Sequence, residues 1–302
     1  MKSVRDFHYF YHLTRCGILC LRAVARRALC HPALSVNWFK SMPLVAGVLF
    51  AERDGHRLCV WLAREGVEVA FCARWAEDIQ KTCGIITVEG GIAKGYPCDL
   101  ARPESLSHFS ARLSASDKLI DILILNAAQR LSGTSDGYPK AKIITTVSSV
   151  LIGSILLMQA LLPGLRRSES ADIVAIISTC GMPNFTDSIT HPAFFASKHK
   201  IRGFVTKLSQ QLPEENVRVT GLYPADFELT GLDTIIRSQS RMGERLMNGR
   251  SVWERMRFVL AQPRSCHNKS HLLPGPNPRS TAIVVGEIEL PARAALQAKY
   301  KG

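Results

Sequence analysis

The sequence predicts an α/β protein, a doubly wound parallel sheet in a single domain, on two observations. Short runs rich in Val, Ile and Leu recur at 43–48, 67–73, 119–125, 172–177 and 217–223, with helix-length amphipathic stretches between them; alternation of this kind is the signature of βαβ units. Short strands of this make-up also argue for a parallel sheet covered on both faces. In such sheets ligands bind beyond the carboxyl ends of the strands, so the Gly and polar residues just after each run are the ones to read for function.

Composition narrows the function classes. The 302 residues are 46% hydrophobic and 21% charged, ordinary for a globular core. Nine cysteines lie scattered, with no C-x-x-C pair and no His/Cys cluster at zinc spacing, so they read as reduced thiols and no metal is expected. The net charge of +13 is uneven: residues 1–41 carry seven Lys and Arg against Asp6 alone. The rest is mildly basic and shows no aromatic-and-basic motif, so no nucleic-acid partner is expected. Residues 1–41 have the acid-poor, Arg-rich make-up of a transit peptide, or are an upstream extension before a functional start at Met42. The expected location is therefore cytoplasmic, or the mitochondrial matrix if the extension is a targeting signal. Gly17–Leu21, flanked by Arg15 and Arg22, is too short and too charged to span a membrane.

Taken in order, the first run is followed by Gly47, and the next helix opens at Gly55 (GHRLCVWLAREG). Glycines here let the backbone approach a pyrophosphate, which the helix N-terminus then receives with free N–H groups. The second run ends at Arg74 with no acid before Glu77; an Arg at that place suits the 2′-phosphate of NADP, whereas an acid would suit NAD. Arg53 adds a second candidate charge. Cys98-Asp99-Leu100 and Leu125-Asn126-Ala127-Ala128 close the next two units, and a helix over 141–165 carries the apolar stretch VSSVLIGSILLMQALLPGL. Its 13-residue apolar run is shorter than a membrane span. Then come the strand Ala171–Ile177, the turn Ser178-Thr179-Cys180-Gly181, and a helix opening HPAFFASKHKIRGFVTKL; Leu222-Tyr223-Pro224-Ala225 ends the next run. A basic helical stretch fills 232–263 and a Pro- and Arg-rich tail 276–302.

The stretch from Ala171 to Leu212 resembles the catalytic strand–loop–helix of the short-chain dehydrogenase/reductase family, and the likeness extends over about 43–274. The resemblance implies a Rossmann-type fold for 42–275. It makes Ser178 or, with a slight edge, Thr179 the carbonyl-polarising hydroxyl, and Lys198 the lysine that holds the nicotinamide ribose. Phe194 stands where the family has its Tyr, and Val150 where it has a water-holding Asn. The glycine loop departs as well, being two residues longer than the family's and lacking its middle Gly. The cofactor-binding residues implied are Gly47, Gly55, Arg74, Asp99, Asn126, Lys198 and Pro224, with Thr230 near the carboxamide. Asn126 is more a brace for the sheet than a catalyst. His191, seven residues before Lys198, is the candidate substitute proton donor, at the spacing the family's enoyl-reductase branch uses. Tyr223 could in principle supply a hydroxyl but suits packing better, and His199 points elsewhere. The expectation is NADP(H)-dependent redox chemistry on a small carbonyl, alcohol or activated C=C compound, in a homo-oligomer built through the 141–165 helix. The rival is a degenerate fold that binds a dinucleotide or a partner subunit without chemistry.

Overall fold

A computed structural model of the chain describes residues 54–116, 118–183, 185, 190–225, 249–264 and 270–273. The expected first strand at 43–48, Gly47, Arg53, Thr230, the 1–41 extension and the 276–302 tail lie outside the described residues, as does the whole of 232–248. What is described alternates as predicted: α1 (Asp54–Arg64), β1 (Val69–Ala73), α2 (Ala76–Val88), β2 (Ala93–Pro97), α3 (Pro103–Ser114), β3 (Ile122–Leu125), α4 (Lys140–Val147), α5 (Ser154–Leu165), β4 (Ala171–Ile176), α6 (Pro192–Gln211), β5 (Val217–Pro224), α7 (Gly249–Leu260) and β6 (Ser270–Leu273). All pairings are parallel, in the orders β1-β2 and β3-β4-β5-β6. Every residue of β3, β4 and β5 is buried, which explains their richness in Val, Ile and Leu, as for strands covered on both faces; Asp172, Arg218 and Thr220 are the buried polar exceptions.

Two differences from expectation have physical causes. Strand β2 has the sequence AKGYP and only Tyr96 is buried; Lys, Gly and Pro are poor strand formers, and pairing with β1 sets the conformation that local preference does not. The helix expected as one element over 141–165 is interrupted: Ser148–Gly153 forms a π turn between α4 and α5. Gly153 is required there, since a Cβ would come within 2.4 Å of the Leu100 carbonyl oxygen. By length and composition Lys140–Leu165 is also long and apolar enough to cross a membrane, with a mean hydropathy of 1.9 over its best window. Its inward residues, Leu157, Met158, Leu161 and Leu165, pack in the main core.

The amino ends of the central strands are fixed by a buried ion pair. Arg218 on β5 donates from Nε to Asp172 Oδ1 at 2.6 Å and from Nη2 to Asp172 Oδ2 at 3.1 Å, and both side chains are at most 3% exposed. The same guanidinium donates to the carbonyls of Leu260 and Gln262 after α7. Removing Arg218 leaves Asp172 with the longer Arg264 contact, Nη1 at 3.5 Å from Oδ1, and breaking a buried pair costs about 3–5 kcal/mol. Arg218→Ala is therefore expected to lower unfolding free energy by about that amount in urea denaturation at neutral pH; a loss below about 1 kcal/mol would contradict the assignment.

Candidate active site

The carboxyl end of β4 turns sharply toward α6. Ser178 adopts φ 99° and ψ 152°, a conformation that non-Gly residues hold only where the surroundings impose it, at a cost of roughly 1–3 kcal/mol. Its Oγ accepts from the Cys180 N–H at 3.3 Å, and Thr179–Gly181 forms one 3₁₀ turn. The imposing contact is backbone against backbone. A Cβ on Gly181 would lie 2.7 Å from the Lys198 carbonyl oxygen and 2.6 Å from the Ile177 side chain. Only Gly allows the turn to sit this close to the helix that carries the lysine.

Lys198 is 3% exposed and its Nζ donates to the Ile176 carbonyl at 3.1 Å. The ammonium also stands 5.5 Å above the Phe194 ring centroid, one helical turn earlier, in a cation–π arrangement. Burial lowers the lysine from its ordinary 10.5 to about 8, with Cys180 acting in the opposite sense. An ammonium has three donors, and one carbonyl occupies only one of them. Phe194 packs with Leu131 and Cys180, fringed by Tyr138, Ile143, Phe185 and Phe195. The surroundings of Lys198 are thus apolar, and suited to an apolar ligand that presents a few hydroxyl oxygens.

The sequence placed His191 in a loop beside Pro192; the structure buries it, at 3% exposed, as the N-cap of α6. Its Nδ1 accepts the Ala193 N–H at 3.1 Å, its own N–H donates to the Leu131 carbonyl at 2.9 Å, and Tyr138 packs edge to face on the ring at 5.0 Å. Because Nδ1 receives a backbone proton it holds none of its own, so the imidazole N–H is at Nε2. That buried atom has no hydrogen-bond partner. The capping bond thus engages Nδ1 and leaves Nε2 as the ring atom with a hydrogen bond still to make.

The remaining predicted residues are distributed along strand ends. Gly55 is buried in the first turn of α1, and half-buried Arg74 follows β1 directly. Asp99 follows β2; its Oδ1 accepts from the Ala101 N–H at 3.0 Å and its Oδ2 lies 3.7 Å from Arg102 Nε. Asn126 follows β3, and Pro224 closes β5. Thr179 and Val150 are buried, Val150 within the π turn. Tyr223 packs in the main core, and burial pushes its hydroxyl up to about 12, in keeping with a packing role. Among the described residues there is no group of His, Cys, Asp or Glu able to hold a metal. Sequence reasoning missed Tyr138, which carries no local signal: it lies in the irregular stretch before α4 and reaches His191 only through the fold.

Comparison with known proteins points one way. A family model described as short chain dehydrogenase matches residues 55–241. A ketoacyl reductase of Nostoc sp. is 26% identical over 171 residues, covering 57% of this chain and 58% of that protein. Human retinol dehydrogenase 8 is 30% identical over 173 residues, covering 53% and 55%. The chain thus spans somewhat over half the length of these curated relatives. Among solved structures, a metagenomic short-chain oxidoreductase in complex with NADP superposes with TM-score 0.64 at 22% identity, covering 76% of this chain and 96% of the other. NAD⁺-bound xylitol dehydrogenase gives 0.65 at 17% identity, covering 76% and 98%.

The buried lysine carries a testable sign. Its folded-state value of about 8 lies below the ordinary 10.5, so the folded protein pays for the ammonium fully below pH 8, and the penalty fades as pH rises toward 10.5. Lys198→Met, which keeps the aliphatic volume, is expected to be more stable than the parent by up to about 3 kcal/mol at pH 7. The gap should close as pH approaches 10. Thermal unfolding of both proteins across that range checks it; a gap that widens with pH refutes it.

Proposed function

The chain belongs to the short-chain dehydrogenase family, and on that footing we propose that it is an NADP(H)-dependent oxidoreductase interconverting a carbonyl and an alcohol in a small apolar compound. The observation that carries this reading is Lys198: an ammonium held at the carboxyl end of β4 by one carbonyl, with donors to spare. Those donors suit the hydroxyls of a nicotinamide ribose, and Thr179, with Ser178 beside it, suits the substrate oxygen. Arg74, directly after β1, suits a 2′-phosphate, which makes NADP(H) the expected dinucleotide over NAD(H). Gly55 at the start of α1 serves the pyrophosphate, and Asp99, Asn126 and Pro224 border the same strand ends. A reduced nicotinamide bound there supplies the hydride; the chain's own part is to hold, orient and polarise. The apolar fringe around Phe194 favours an aliphatic or aromatic substrate, with reduction of an activated C=C bond as a variant of the same chemistry.

Phe194 is also the ground for a second reading. In the position of the family's tyrosine it has no proton to give, so the fold could retain a dinucleotide or a partner subunit and do no redox chemistry. Ile144 and Ile152, 64% and 46% exposed along the α4–α5 stretch, suit a homo-oligomer contact under either reading. A cytoplasmic location, or a mitochondrial one if residues 1–41 direct it there, is compatible with both.

Titration of the full chain with NADPH and NADH, followed by nicotinamide fluorescence, tests the dinucleotide assignment. NADPH is expected to bind more tightly, and Arg74→Ala to weaken it by about 10-fold or more while sparing NADH, as loss of a charge-assisted hydrogen bond requires. Absence of binding by either dinucleotide would sink the oxidoreductase reading. Phe194→Tyr is expected to raise carbonyl reduction by about 10²–10⁴-fold, the usual contribution of a positioned acid; no gain would favour the second reading.

A further inference from the structure

We propose that the Nε2–H of His191 is a fixed hydrogen-bond donor for the substrate's carbonyl oxygen, and that Tyr138 is the residue that positions it. The inference rests on the oxidoreductase reading and adds to it the group that receives negative charge when hydride arrives. Two contacts hold the imidazole, the Ala193 N–H to Nδ1 at 3.1 Å and the Tyr138 ring at 5.0 Å and 66°, while the backbone N–H of His191 is fixed to Leu131 O at 2.9 Å. Tyr138 is itself tied back, its hydroxyl accepting the Ser132 N–H at 3.3 Å, while Ser132 bridges to Thr190 beside the histidine. These contacts orient the ring, yet Nε2 itself is buried with no partner. An unsatisfied buried donor costs about 1–3 kcal/mol, a cost removed when an oxygen arrives. Its place fits that ligand. Phe194 donates its N–H to the His191 carbonyl at 3.0 Å and packs with Tyr138, and the Lys198 ammonium stands 5.5 Å from the centroid of the same Phe194 ring.

Hydride transfer to the carbonyl carbon forms a C–H bond and moves the C=O π pair onto oxygen. His191 Nε2–H stabilises that oxygen without changing its own protonation, and the proton that completes the alcohol comes from solvent by way of the Lys198 ammonium.

Two substitutions separate this role from a structural one. Asn is a strong N-cap, so His191→Asn keeps an acceptor for the Ala193 N–H but has no donor at the Nε2 position. Gln is longer and restores an N–H near that position. With NADPH and benzaldehyde or decanal, His191→Asn is expected to lower kcat by about 10²–10³-fold, the usual effect of removing one oxyanion donor. KM for NADPH and thermal stability should stay unchanged, and His191→Gln should recover part of the loss. An Asn variant as active as the parent overturns the proposal. The free protein gives an independent readout: two-dimensional ¹H–¹⁵N spectra of the imidazole should show a single proton on Nε2, and a proton on Nδ1 overturns the proposal without reference to activity. If the parent fails to bind NADPH, or binds it and reduces neither aldehyde, the oxidoreductase reading falls and this inference with it. Binding and turnover with an unaffected Asn variant remove the inference alone.

Discussion

The closeness of two backbones decides the rest of this structure. Gly181 brings the exit of β4 against the carbonyl of Lys198 at a separation no side chain permits, and the consequences spread from there. Ser178 must take its unusual φ to enter the turn, Lys198 must reach inward to the Ile176 carbonyl, and Phe194 must cover the ammonium one turn earlier. At the opposite end of the same strands, Asp172 and Arg218 hold β4 and β5 in register. The sheet is thus clamped by charge at one edge and by steric contact at the other.

Much of the fold was legible because the central strands obey a simple rule. Strands covered on both faces are mostly apolar, so β3, β4 and β5 stand out as runs rich in Val, Ile and Leu, with Asp172 and Arg218 the paired exceptions. Lys198 was legible for a different reason: it falls where the resembled family's Tyr-x-x-x-Lys pair has its lysine, with Phe194 four residues before it. Strand β2 was not legible, since its pairing with β1 is a tertiary fact and AKGYP has no strand preference of its own. The π turn was hidden too, because the register of a helix depends on what presses against it, here Leu100 against Gly153.

The site divides along the same line. Residues whose role follows from being at a strand end, such as Arg74, Asp99 and Asn126, could be placed by counting. His191 could be singled out by spacing but not interpreted, because its chemistry is set by which of its nitrogens meets the Ala193 N–H. Tyr138 was invisible for the complementary reason: its partner is 53 positions away and no periodicity connects them. Local pattern thus indicates where chemistry can occur, while long-range contact determines which atom is offered.

The π turn between α4 and α5 has a consequence for how this chain can drift. A turn of this kind contains one more residue than the helix around it needs, and each residue of an α-helix advances the face by 100°. Because the turn absorbs that residue locally, losing one residue from 148–152 would let α4 and α5 run on as one α-helix with Ile143 and Leu157 on their present faces, provided Gly153 stays to admit Leu100. A loss or gain elsewhere in α4 or α5 has no such slack and would turn one face by about 100°. In this part of the chain descent by deletion is open at the turn and closed on either side of it.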